Sequence, residues 1–144
     1  MKKLLLLVAL FSIALGVQAR KVAFRVDMTG QTVSANGVHF TGNFKNIDYA
    51  GVDENPNLIS WDPAAYALTA NVNIYTYVLD LGPGLPYEFK FINGNDWPGG
   101  ENIPAASQVG GGNSNRWVYI KASTATDTLM LAPIMFGGNA PAGQ

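Results

Sequence analysis

The chain has no cysteine. That absence excludes disulfides, thiolate metal sites, cysteine nucleophiles and a lipid-modified cysteine together, so stability must come from an ordinary apolar core. Histidine is nearly as scarce. His39 is the only one, and with no second histidine or cysteine to share a metal it is expected to be a lone surface residue. Only 13% of residues are charged, with no block of one sign and no internal repeat. Beyond the first residues there is no helical periodicity, which argues against a helix-built domain.

The first residues carry Lys2-Lys3, an apolar run from Leu4 to Val17, and then Val17-Gln18-Ala19 at the positions a signal peptidase reads. This is the pattern of a secretory signal peptide cleaved after Ala19, and the run is too short to span a bilayer comfortably. The mature chain is therefore expected to start at Arg20, to carry no membrane span, and to be secreted: extracellular, on the cell surface, or periplasmic. Removing Lys2 and Lys3 from the nine basic residues leaves seven against ten acidic ones. A mildly acidic protein of this kind is a poor partner for nucleic acid or an anionic membrane. The remaining residues, roughly 125 of them, suffice for one core and not for two.

What is abundant is glycine, asparagine, threonine and aromatic residues, arranged as short alternating runs between Gly, Pro, Asn and Asp clusters. That pattern predicts an all-β, immunoglobulin-like sandwich of about seven antiparallel strands over residues 20–132. The strands are expected near Lys21 to Met28, Val38 to Phe44, Tyr66 to Leu68, Ile74 to Leu81, Tyr87 to Ile92, Arg116 to Ile120 and Thr128 to Leu131. Residues 133–144 form an apolar tail. Two connections, Lys45 to Pro63 and Asn93 to Asn115, exceed hairpin length, and such loops commonly carry function.

The segment Tyr87-Glu88-Phe89-Lys90-Phe91-Ile92-Asn93-Gly94-Asn95-Asp96-Trp97 concentrates the chemistry. Period-2 alternation buries Tyr87, Phe89 and Phe91 and turns Lys90 to the other face. Asn93-Gly94 supplies a turn, because both residues tolerate positive φ. Trp97 follows among small and polar neighbours that cannot cover an indole, so it is expected at the surface near Lys90. Flat rings stack on the apolar faces of pyranoses, and amides and charges bond their hydroxyls. Trp61, Trp97, Lys90, Asn93, Asn95, Asn113 and Asn115 provide that inventory, at roughly 1 kcal/mol per aromatic contact beyond area burial. Whether Trp61 and Trp97 share a face is not set by the sequence. Trp117 is expected in the core, on the buried alternation of its strand.

The order Val38-His39-Phe40-Thr41-Gly42-Asn43-Phe44, Trp61-Asp62-Pro63, Tyr75-Thr76-Tyr77-Val78-Leu79-Asp80-Leu81, Gly84, Tyr87-Glu88-Phe89-Lys90-Phe91 and Trp97 resembles a glycogen- or starch-binding carbohydrate-binding module. The resemblance is to the glycogen-binding domain of AMP-activated kinase β subunits, to that of branching enzymes, and to small secreted Bacteroidetes domains of the same pattern. It runs from about Val22 to Ile120. It implies that Lys90, and Trp97 seven residues later, contact α-glucan, and that Asn115 before the last strand joins them. The chain departs from the pattern at the first platform tryptophan, where Ile47 stands and Trp61 arrives only after an insertion. Cysteines that small secreted relatives place near Glu101 to Ala106 and near the C-terminus are replaced by Ala105-Ala106 and Met135-Phe136.

A non-catalytic module that binds a polysaccharide, with no cofactor and no metal, is the leading expectation. Asp62, Asp96 and Glu101 are loop carboxylates, but a sandwich this small offers no deep cleft to shift their pKa values, so no enzyme is expected. Asp48, Asp53 and Glu54 match no dedicated calcium-loop spacing and are expected to be solvated. The alternative is an extracellular structural protein, a subunit of a filament, sheath or matrix that assembles through Ile134, Met135 and Phe136, an apolar strand able to add to a neighbouring sandwich. The competing expectation for these three residues is that they fold back over their own core.

Overall fold

The computed structural model describes residues 19–45 and 55–142. The leader up to Gln18, Ile47, and the carboxylates Asp48, Asp53 and Glu54 lie outside the described residues. Among the described residues nine strands form: β1 (Arg20–Asp27), β2 (Val38–Gly42), β3 (Tyr66–Ala67), β4 (Thr69–Asn71), β5 (Ile74–Leu81), β6 (Leu85–Asn93), β7 (Arg116–Ile120), β8 (Leu129–Met130) and β9 (Ile134–Met135). They make a β-sandwich. One sheet runs β4-β5-β1, with β8 and β9 both on the remaining side of β1; the other runs β3-β2-β6-β7. Every expected strand is present. The departure is in direction: β8 and β9 pair parallel to β1, so the sandwich is antiparallel everywhere except along that flank.

Alternation explains why these segments pair. In β1, Val22, Phe24 and Val26 are fully buried, and in β6 the same holds for Tyr87, Phe89 and Phe91, each at most 2% exposed. Phe24 reaches across from the first sheet to meet Phe40 and Phe89 of the second, and Phe44 just beyond β2, at centroid distances of 5.0, 5.0 and 5.7 Å. Tyr66 and Tyr77 extend the cluster, 5.3 Å apart. Tilted and edge-on pairs of this kind each contribute about 0.5–1.5 kcal/mol beyond area burial, so this aromatic seam is what joins the sheets.

Two polar clamps hold the loops to this core. Asn55 donates to the Phe44 carbonyl at 2.9 Å and to the Tyr87 hydroxyl at 3.0 Å, while Tyr87 donates to the Gly82 carbonyl at 2.9 Å. Gly42 must lack a side chain, because a Cβ there would collide with the Glu88 carbonyl oxygen and lie 2.8 Å from the Phe44 ring.

The second clamp fixes the C-terminal segment. Glu101 and Arg116 are buried, 2% and 1% exposed, and form a bidentate pair at 2.8 and 2.6 Å. Glu101 also accepts from the Phe91 and Gly137 amides, and Arg116 donates to the Gly138 carbonyl. The tail therefore folds back onto its own sandwich: Ile134 is 4% exposed and Phe136 packs against the core cluster. Of the three residues expected to offer an assembly strand, only Met135 stays exposed, at 53%.

Two burial expectations are corrected. His39 does face away from the core, but it is only 8% exposed. It lies on an interior strand, hemmed in by its cross-strand neighbours Ala67 and Ile92. Trp117 is not in the core; it is 46% exposed, and Arg116, Val118 and Ile120 take the buried positions of β7. The buried carboxylate of Glu101 compensates the guanidinium, so the charged residue goes inward and the indole outward.

Candidate functional site

The outer face of the β3-β2-β6-β7 sheet carries Thr41, Glu88, Lys90 and Ile92, opposite in parity to the buried rings of β6. Glu88 lies across from Trp117, and Lys90 across from Thr41. The loop that enters β7 lies against this face. Asn115 donates to Glu88 Oε2 at 2.9 Å, Asn113 reaches the same oxygen at 3.5 Å, and Lys90 Nζ is 3.5 Å from the Ser114 hydroxyl. An ammonium, a carboxylate and two carboxamides thus converge on one strip of surface.

Trp97 borders that strip. It opens a 3₁₀ turn, Trp97–Gly99, whose first amide is capped by Asp96 at 2.8 Å, with Pro98 inside the turn. Gly100 bridges back to Ile92, and the Glu101 amide donates to the Phe91 carbonyl at 3.0 Å, so the buried Glu101 anchors the turn to β6. A Cβ on Gly100 would lie 3.5 Å from Lys90 Cδ and 3.1 Å from the Trp97 carbonyl oxygen; the lysine stem runs beside the turn that presents the indole. Trp97 is 48% exposed, as its neighbours predict.

Of the sequence-predicted residues, the structure brings Lys90, Trp97 and Asn115 together. Asn93 is corrected: its side chain accepts from the Ser34 amide at 2.8 Å and donates to the Thr32 carbonyl at 2.9 Å. Both ends of the amide are engaged in holding the 32–34 segment, which makes Asn93 a structural residue. Trp61 is exposed, but its amide donates to the Gly42 carbonyl, at one end of β2, whereas Asn93, which leads into the Trp97 turn, pairs with Val38 at the other end. Four strand steps separate those ends, about 13 Å, so the backbones of the two tryptophans attach at opposite ends of β2. Trp61 also has a positive φ of 55°.

The loop carboxylates serve separate local ends. Asp62 accepts from the Ala64 amide and Asp96 from the Trp97 amide, and Glu101 sits in the buried ion pair. Among the described residues, no group of three or more His, Asp or Glu side chains could hold a metal, and no helix is long and apolar enough to cross a membrane.

Sequence reading missed Glu88, which orders the two asparagines, and the outward pair Trp117 and Tyr119 on β7, 46% and 49% exposed. The alternation of Glu88 with the buried rings was a usable signal for the first. For the second, the signal was Arg116 itself: a strand with one charged residue at the inward parity needs a buried acid elsewhere.

No known protein family matches the chain, and no curated protein is significantly similar to it. Solved structures resemble it in part. A glucoamylase from Hormoconis resinae superposes with a TM-score of 0.51 at 16% identity, over 88% of this chain and 18% of the enzyme. A gamma-CGTase from alkalophilic Bacillus clarkii gives 0.46 at 22% identity, over 81% of this chain and 15% of that one. This chain thus spans less than a fifth of either protein, and the likeness is one of fold: an all-β sandwich similar to a part of the glucoamylase.

Proposed function

We propose that this chain is a non-catalytic, secreted module that binds α-glucan on the outer face of the β3-β2-β6-β7 sheet. The observation that carries the reading is the convergence of Lys90, the Glu88-ordered Asn115 and the exposed Trp97 on one strip of surface. The indole stacks on the apolar face of a glucose unit, while the ammonium and the carboxamide bond its hydroxyls. The fold it shares with part of a glucoamylase supports the same direction, since that part is a small share of the enzyme. One exposed ring and a few hydrogen bonds give weak binding, in the range of about millimolar to micromolar. Trp61, attached at the far end of β2, contacts a different stretch of polymer or none. The filament alternative loses its main support once Ile134 and Phe136 are packed into their own core.

Retention on insoluble starch tests this. The purified chain should be depleted by starch and not by cellulose, and Trp97→Ala should abolish depletion without lowering the melting temperature. No depletion by starch, or depletion unaffected by the substitution, would sink the reading.

A further inference from the structure

We propose that the open seam between the two sheets is a second and separate binding site, one that takes an acidic sugar, a pyranose bearing a carboxylate. On this side β7 ends one sheet and the two-residue β8 flanks β1 in the other, and a groove of about 420 Å³ lies between them. Trp117, Val118, Tyr119, Leu129, Met130 and Leu131 line it, together with Arg20 and Lys121. The volume is within the usual range for small-molecule sites. Both rings are about half exposed.

Three observations select the ligand. Flat rings beside apolar side chains suit the apolar face of a pyranose, as aromatic platforms do generally. The groove has two cationic side chains and no carboxylate in its lining, on a chain whose formal net charge is −1, so its local sign runs against that of the whole protein. Arg20 is also loosely held: its ion pair with the 75% exposed Asp127 is 3.5 Å long, so a ligand carboxylate can compete for the guanidinium. A guanidinium held this way is suited to take a planar carboxylate. No asparagine or glutamine lines the groove, in contrast to the outer face, so neutral polyhydroxyl recognition of the kind proposed for Lys90 and Asn115 has no counterpart here.

The probe is trigalacturonate, titrated calorimetrically into the purified chain beside its methyl ester and decanoate. Trigalacturonate should bind, and raising the salt should weaken it. Lys121→Gln should weaken it by about 3- to 5-fold and Trp117→Ala by about 5- to 10-fold, with melting temperatures unchanged, while Trp97→Ala leaves it intact. That last variant separates this site from the α-glucan reading, which can fail or hold on its own. Absence of trigalacturonate binding, equal binding of the methyl ester, or insensitivity to both groove substitutions would overturn the proposal. Preferential binding of decanoate would overturn it too, by making the seam an amphiphile groove.

Discussion

Trp97 and Trp117 are exposed to nearly the same degree, 48% and 46%, yet their surroundings differ. Trp97 stands on a capped turn beside a strip of amides and paired charges, where Glu88 has already gathered Asn113 and Asn115. Trp117 stands on an edge strand across from that same Glu88, beside a groove lined by leucine, valine, Arg20 and Lys121. Exposure alone therefore says little about what a ring binds. On the two proposals above, the polar fringe is what would divide a surface for neutral sugars from one for acidic sugars. Both rings nevertheless depend on one internal device, since Glu101 anchors the turn that presents Trp97 and Arg116 immediately precedes Trp117.

The largest break in the comparison should come from that device. Glu101→Ala leaves the Arg116 guanidinium buried without its partner, which typically costs about 3–5 kcal/mol. Urea denaturation should show the loss, and both ligands should bind less well under partly destabilising conditions. A more selective break is Gly99→Ala, because a Cβ there would collide with the Asn93 carbonyl oxygen. We expect starch retention to fall, a destabilisation of about 1–3 kcal/mol, and trigalacturonate binding to persist; equal loss of both would show that the two regions are not independent.

The smallest effect is a control remote from either ring. Asp27 accepts from the Thr29 hydroxyl at 2.6 Å and from the Thr29 amide at 2.9 Å. These bonds, the hydroxyl first, hold its carboxyl below the usual range. A depressed folded-state value gives stability that is present above the unfolded carboxylate range and is lost as pH falls through the depressed value, so the loss belongs below about pH 4. Asp27→Asn should slightly flatten the acid limb of a urea-midpoint profile and leave both binding activities unchanged at neutral pH. A change at neutral pH in either would mean that the turn is coupled to the sites.

The sandwich was legible in the sequence because Val22-Phe24-Val26 and Tyr87-Phe89-Phe91 alternate cleanly, and the rule that apolar residues face the core applies to them without competition. It was not legible at β4, where Thr69, Ala70 and Asn71 are all exposed and no apolar rhythm marks the strand. It misled at β7, where the inward residue is an arginine whose partner lies 15 positions away, a distance no local pattern spans. For the candidate residues, local reading was enough to set Lys90 beside the turn that carries Trp97. It failed for Asn93, whose amide is engaged by residues 59 and 61 positions away.

The parallel pairing of Val26 with Ile134 has a consequence for the order of assembly. The first strand of the described domain stays incomplete on one side until residues roughly a hundred positions downstream have been made. Contacts this remote slow closure. A flank sealed only by its most distant partners is therefore the part of the sandwich expected to close last.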